Sequence, residues 1–212
     1  MRYLIFTEIF QRFSEPKKNR RAFSILEVAI DCFDRKGFVN VTFVMVAREA
    51  GISRQALSRY FKNIEDVRQV SLKYIRILGQ RMALDLIGNT EDPVRLLSAY
   101  VSVHFTWTKV YRSHARVWLG FLSSCAQRKT DRRLNTMAVV VGHERIVQLI
   151  EQGRKSGHFH CADVAQSAKI VQTLLTGWTM SLITEDLSNE EVYTQAIIDA
   201  CLCVAGRQLS PT

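Results

Sequence analysis

The spacing of hydrophobic residues predicts helices along almost the whole chain. Apolar residues recur at intervals of three and four from Phe23 to Phe33, from Val67 to Leu78 and from Val164 to Leu182. This spacing places them on one face of a helix, whereas a strand would show alternation. No internal repeat is visible. The pattern predicts an all-α fold of about nine helices, with a loop at 127–133 and a capping box at 188–191 that opens the last helix.

Capping and turn residues divide the stretch 42–61 into two short helices. Thr42 is the predicted N-cap of the first helix, and Gly51 ends it because glycine adopts the left-handed conformation without steric cost. Ser53 is the predicted N-cap of the second helix, in which Leu57 and Phe61 share the inward face. Two short helices joined by such a turn are typical of a helix-turn-helix unit that binds DNA.

The outer face of the second short helix carries side chains that can read DNA. Gln55 can pair with adenine, and Arg54 or Arg59 can pair with guanine or bind phosphate. Thr42 can meet phosphate at a helix N-terminus, and Tyr60 can reach the DNA backbone or pack against the next helix. The alternative is a set of solvated surface groups. The candidate DNA-binding residues are Thr42, Arg54, Gln55, Ser58, Arg59, Tyr60 and Lys62.

The basic charge of the chain is concentrated around this unit. The net charge is +9 over 212 residues. Residues 1–62 contain 12 Lys and Arg against 6 Asp and Glu, whereas residues 63–212 contain 17 against 14. An excess of this kind attracts a phosphate backbone, and a merely solvated basic surface is the alternative reading.

Cysteine usage and hydropathy predict a cytoplasmic protein without a membrane partner. The 5 cysteines follow no disulfide framework, so reduced thiols are expected. No apolar run is long enough to span a membrane, and the first 13 residues lack the cleavage site of a secretory signal. Residues 1–16 form an N-terminal extension that is expected to pack on the body or on a neighbouring subunit. Its apolar residues recur at helical spacing: Ile5, Phe6, Ile9, Phe10 and Phe13.

Residues 20–75 resemble the tetracycline-repressor (TetR-type) family of bacterial transcription regulators. The resemblance is carried by the end of the first helix at Phe33, Gly37 and Phe38, by the stretch from Thr42 to Ser53, and by the stretch from Leu57 to Phe61. It implies a ligand-responsive regulator, in the form of a repressor that releases its operator DNA when it binds a small molecule. No cofactor and no catalytic residue are implied.

The resemblance also implies a domain organisation. After the extension, residues 17–63 would form the helix-turn-helix domain, and residues 64–212 would form a larger helical domain for ligand binding and dimerisation. A homodimer would form through the last two long helices, near 162–184 and 189–206. Small residues there would allow close approach, although ordinary core helices within one subunit would show the same pattern. These residues are Ala165, Ala168, Gly177, Ala196 and Ala200.

Several positions depart from the family pattern. Ser58 stands where the family usually has a tyrosine, and Ile64 stands where it usually has a lysine that meets a phosphate. Val44 and Met45 replace residues that are often polar. Fewer phosphate contacts weaken DNA binding at every sequence, although Lys62 can supply a charge near residue 64. A TetR-like protein with weakened or lost DNA binding, acting on a ligand or a partner, is therefore the alternative.

Aromatic and polar-tipped residues on the apolar helices of the second domain are candidates for a ligand pocket, since such residues line small-molecule sites. Core packing is the alternative for each of them. Residues 158–163 contain metal-ligating types without zinc spacing, so a metal protein or enzyme is a remote alternative. Phosphate-loop and nucleophile motifs are absent from the sequence. The candidate pocket residues are His104, Trp107, Trp118, Cys125, His143, Trp178 and Met180.

Overall fold

The computed structural model describes residues 16–88 and 90–207, and within these ranges the chain is helical without strands. This confirms the predicted all-α fold. The apolar residues of the N-terminal extension lie outside the described residues. The helices are α1 (Pro16–Lys36), α2 (Phe43–Glu49), α3 (Arg54–Ser58), α4 (Ile64–Ile87), α5 (Pro93–Val110), α6 (Arg112–Ser124), α7 (Lys129–Lys155), α8 (Val164–Thr184) and α9 (Glu190–Val204).

The predicted caps of the short helices are formed. The Oγ1 atom of Thr42 accepts a hydrogen bond from the amide of Met45 at 3.3 Å, and Ser53 Oγ accepts one from Ala56 at 3.0 Å. Gly51 has a φ angle of +64°, the left-handed conformation that ends α2. These local hydrogen bonds satisfy amides that have no partner inside a helix.

The chain divides into two compact units, and the first contains the helix-turn-helix. It comprises residues up to Gln80 and the segment Ser113–Arg128, so that it combines α1 to α3 with most of α4 and α6. Its core includes Phe33, Phe38 and Phe121. The ring centroids of Phe33 and Phe38 lie 5.4 Å apart, and those of Phe38 and Phe121 lie 5.9 Å apart. The sequence predicts a single domain boundary at residue 63, whereas each of these units combines two separate segments of the chain.

The second unit comprises residues 81–112 and 129 onwards, and it contains α5, α7, α8 and α9. Helix α5 packs against each of the other three, and α8 packs against α7 and α9. The buried core draws on all four helices, for example Val101, Ile150, Val171 and Leu202. No helix in the described part of the chain is long and apolar enough to cross a membrane.

Two helix starts differ from the sequence predictions. Helix α7 begins at Lys129, inside the predicted loop, because Asp131 is buried in its first turn and the neighbouring polar side chains remain on the exposed face. Helix α9 begins at Glu190 after Asn189, whose side chain forms no capping hydrogen bond, so the predicted box is not formed.

Candidate functional site

Helix α3 presents a polar outer face on a buried anchor. Leu57 is completely buried, whereas Arg54, Gln55 and Arg59 are exposed. The hydroxyl of Ser58 donates a hydrogen bond to the backbone carbonyl of Arg54 at 3.0 Å, so this short side chain is engaged within its own helix. The three longer side chains are therefore the groups that α3 can offer to a base edge or a phosphate.

Helix α2 holds α3 through a tight turn. Val46 and Ala47 are buried, and the amide of Ile52 donates to the carbonyl of Ala47 at 3.0 Å across the turn. Thr42 is exposed at the N-terminus of α2, where its cap leaves the amides of the first turn near the surface. Exposed amides at a positive helix end are suited to binding a phosphate.

The residues that follow α3 complete this surface. Lys62 is exposed, and Tyr60 is partly exposed, with its ring 6.5 Å from that of Phe61. The backbone amide of Lys62 donates to Asp66 at 2.8 Å, and the amide of Asp66 donates to Asn63 at 2.9 Å. These two hydrogen bonds cap the start of α4 and order the backbone at Lys62, whose side chain is exposed.

A buried arginine that the sequence pattern does not indicate supports the start of α2. The guanidinium of Arg68, in α4, donates to the carbonyls of Phe38 at 3.1 Å, Val39 at 2.9 Å and Val41 at 3.2 Å. It therefore binds the turn that leads into the N-cap at Thr42. No sequence signal identifies Arg68, because an arginine beside an apolar stripe is usually a surface residue.

Further ion pairs attach α6 to the rest of the first unit. The carboxylate of Glu65 accepts hydrogen bonds from Arg68 at 3.3 Å and from Arg128 at 2.6 Å. Arg116 donates to both carboxylate oxygens of Asp34 in α1, at 2.7 and 2.6 Å. Since bidentate arginine–carboxylate pairs have fixed geometry, Arg116 holds α6 in register with α1. Arg128, in the segment after α6, attaches that segment to α4.

A third connection joins α1, α4 and α6 through Glu27. One oxygen of its carboxylate lies 3.2 Å from Nε2 of the buried His114, and the other accepts the hydroxyl of Tyr74 at 2.6 Å. The pKa of Glu27 is lowered, chiefly by the hydrogen bond with His114, while partial burial opposes the shift and Tyr74 adds to it. The carboxylate form is thus stabilised in the folded protein.

Two of the predicted ligand-pocket residues lie close together on α5. His104 and Trp107 are three residues apart on the helix and partly buried. The imidazole Nδ1–H of His104 donates to the carbonyl of Tyr100 at 2.9 Å, and desolvation of the ring lowers its pKa, so the ring is neutral. The indole Nε1–H of Trp107 is buried and has no hydrogen-bond partner within the described residues.

The other predicted pocket residues are dispersed. Trp178 in α8 packs edge-on against Phe105 and donates to Thr194, while His143 lies 3.1 Å from the carbonyl of Ala165. Met180 is exposed on α8. Trp118 and Cys125 belong to the first unit, where they pack around Phe121. The set does not form one lining.

A hollow of about 450 Å³ lies on the surface of α7, and none of the predicted pocket residues lines it. Within the described residues, which include 158–163, no group of three or more His, Cys, Asp or Glu side chains could hold a metal ion.

Comparison with known proteins relates this geometry to a family of regulators. Residues 25–69 match the model of the bacterial regulatory proteins of the tetR family. The BetI transcriptional regulator of Brucella anthropi is 27% identical over 139 residues, covering 65% of this chain and 70% of its own. The BetI regulator of Serratia proteamaculans is 25% identical over 112 residues, covering 52% and 57%.

Solved structures share the fold at low sequence identity. A tetR-family regulatory protein from Rhodococcus RHA1 has a TM-score of 0.66 and 20% identity, covering 89% of this chain and 98% of its own. A protein from Saccharomonospora viridis, in complex with choline, has a TM-score of 0.73 and 21% identity, covering 84% and 93%. The SmeT–triclosan complex has a TM-score of 0.74 and 16% identity, covering 91% and 98%.

Proposed function

We propose that this chain, a TetR-type DNA-binding transcriptional regulator, represses its target as a homodimer and releases the operator when a small molecule binds its second unit. The observation that carries this proposal is the outer face of α3. Arg54, Gln55 and Arg59 are exposed on a helix that is capped at Ser53 and anchored by the buried Leu57. This arrangement lies within the residues that match the family model.

DNA binding would divide between base reading and phosphate contact. Gln55 is the candidate adenine reader, and Arg54 or Arg59 the candidate guanine reader. Thr42 at the N-terminus of α2, together with Lys62 and Tyr60, would contact the backbone. Ser58 would contribute little, because its hydroxyl donates to the carbonyl of Arg54.

Dimerisation through α8 and α9 is supported by the surface that these helices expose. Gly177 lies in the middle of α8, is exposed, and a Cβ added there would meet no atom within 4 Å. A glycine within a helix costs roughly 1 kcal/mol relative to alanine, and close approach of a partner backbone would account for it. Large apolar residues are exposed on the same two helices: Ile170, Met180, Val192 and Tyr193.

The α5 pair His104 and Trp107 is the proposed centre of effector recognition. A neutral imidazole does not repel a cation, and the aromatic faces of Tyr100 and Trp107 can attract one. The unpartnered indole Nε1–H of Trp107 can donate to an acceptor on the ligand. A small molecule with an apolar or quaternary-ammonium part and one acceptor fits these groups, and a structural relative was solved in complex with choline.

Helix α4 is the proposed route from effector to DNA. It runs without interruption from the first unit into the second, and its Arg68 holds the turn that precedes α2. An effector that shifts α4 would change the separation of the two DNA-reading heads in the dimer. Because DNA half-sites have a fixed spacing, such a change would remove many contacts together.

The test of DNA binding is gel retardation of the promoter region of the protein's own gene, with the folded dimer confirmed by sedimentation. Binding is expected at about 50 mM salt and should weaken steeply by about 200 mM. Absence of any retarded complex at low salt would support the alternative, a TetR-like protein that acts on a ligand or partner without DNA.

The effector is tested separately by calorimetric titration with choline as the probe. Trp107→Phe keeps the aromatic ring and removes the indole donor, so it should weaken binding of a ligand that uses this donor. A choline affinity that does not differ between wild type and Trp107→Phe would remove Trp107 from the proposed site.

A further inference from the structure

Two valines are exposed beside the N-terminus of α2. Val44 is 56% exposed and Val39 is 48% exposed. In the described part of the first unit, they are the only large hydrophobic residues that are this exposed. Both lie within three residues of the Thr42 cap, while Val46, two residues after Val44 in the same helix, is completely buried.

Val44 differs from Val39 in its position on the helix-turn-helix. It is the second residue of α2, and Arg48, one turn later, is also exposed, so the two share an outward face. Val39 lies before the helix, in the turn that Arg68 binds. Its neighbour Asn40 donates a hydrogen bond back to the end of α1, at the carbonyl of Lys36.

The surroundings of Val44 indicate the chemistry of its partner. Arg48 on the same helix is exposed, as are Arg54, Arg59 and Lys62 on and after α3. A surface of this charge is complementary to DNA phosphates. The apolar group that a base pair offers in the major groove is the C5 methyl of thymine, and aliphatic side chains recognise it by contact.

We infer that Val44 reads a thymine methyl group in the operator and is a specificity-determining residue of this regulator. The inference rests on the proposed DNA binding. It assigns to α2 a base contact in addition to those of α3. It also gives a role to a position where the family pattern is often polar. Burial of one methyl group against Val44 corresponds to roughly a fourfold gain in affinity.

The test first removes the thymine methyl groups of the operator and then shortens the side chain of Val44. After footprinting defines the operator, each thymine is replaced by deoxyuridine, which keeps every hydrogen-bonding group and lacks the methyl. Wild-type protein should lose roughly fourfold in affinity at one symmetry-related pair of positions. Val44→Ala changes both subunits of the dimer and loses both contacts, so it should bind the unmodified operator about sixteenfold more weakly and show no further loss at that pair.

Val39→Ala is the matched control, because it shortens an equally apolar exposed side chain in the same unit. It should show the same thymine-to-deoxyuridine loss as the wild type. The inference is overturned if wild type is insensitive at every thymine, or if Val44→Ala keeps the full loss. Failure of the folded wild-type dimer to bind any promoter fragment would instead overturn the proposed function, and the inference with it.

Discussion

The guanidinium of Arg68 donates a hydrogen bond to the backbone carbonyl of Val39 at 2.9 Å, across 29 residues of sequence. The same side chain also binds the carbonyls of Phe38 and Val41, and it is buried. The turn before α2 is thus attached to α4 by several hydrogen bonds from one cation. A displacement of α4 would be transmitted directly to the start of the DNA-reading unit.

Replacing Arg68 tests this attachment. Arg68→Met keeps most of the aliphatic volume but leaves three carbonyls without their donor, and it should destabilise the first unit by about 3 kcal/mol. Urea unfolding measures the loss. Arg95→Met, at an exposed arginine in α5, is the control and should change stability by less than about 0.5 kcal/mol. An equal, small effect of the two substitutions would show that the Arg68 hydrogen bonds contribute little.

Gln55 and Lys62 should affect DNA binding in different ways. Gln55→Ala should cost about 1–3 kcal/mol at one base pair of the operator and leave the salt dependence unchanged. Lys62→Ala should weaken binding to all sequences and reduce the slope of log K against log salt by about 0.9 for each subunit, which is about 1.8 for the dimer. Fluorescence anisotropy over a salt series separates the two. A slope that falls for Gln55→Ala and stays constant for Lys62→Ala would reverse the proposed roles.

Substitution of Gly177 should change the stability of the subunit and the stability of the dimer in opposite directions. Gly177→Ala is expected to stabilise α8 within the subunit by roughly 1 kcal/mol. It should weaken the dimer, because the added methyl group would stand between closely approaching helices. Sedimentation equilibrium gives the dimer dissociation constant. Thr136→Ala, at an exposed position of α7, is the control. It should also stabilise its helix, and it should leave the dimer dissociation constant unchanged. A dimer as tight in Gly177→Ala as in wild type would place the interface elsewhere.

Glu27 should make stability depend on acidic pH. Its pKa is lowered in the folded state, mainly by the hydrogen bond with His114. The stabilisation is therefore present above the pKa of an unfolded glutamate, about 4.3, and is lost as pH falls through the lower folded value. Glu27→Gln should reduce the free energy of unfolding at pH 7 by about 1 kcal/mol. The effect is small because the side chain is nearly half exposed and solvent screens its interactions.

The measurement for Glu27 is thermal unfolding between about pH 7 and pH 3. The stability difference between wild type and Glu27→Gln should shrink as pH falls below about 5. Glu185→Gln, at the exposed C-cap of α8, controls for the loss of one negative charge. A difference that stays constant down to pH 3 would exclude the titration of Glu27 as its cause.

The features that sequence predicted well are local ones. Thr42, Gly51 and Ser53 act on amides and dihedral angles within three residues of themselves, so their roles follow from residue type and position. The all-α fold was confirmed within the described residues for a similar reason, since the spacing of apolar residues within a few turns specifies helices. The start of α7 was predicted wrongly because a polar helical face and a polar loop have similar composition.

The long-range contacts could not be predicted. The sequence analysis placed Trp118 and Cys125 in the ligand domain because they follow residue 64, whereas α6 packs with the first unit. The pairing of Arg116 with Asp34 joins residues that are 82 positions apart, and no spacing rule relates them. Charged residues of this kind are usually assigned to the surface.

The sequence by itself determined the helices, their caps and the polar outer face of α3, because each depends on interactions within one or two turns. Only the tertiary structure decided that Arg68 is buried against the turn at Val39, and that Trp118 and Cys125 pack around Phe121 in the first unit. It also showed that Val44 is exposed near the start of α2. Burial and pairing depend on which helix faces meet, and that information is distributed over the whole chain.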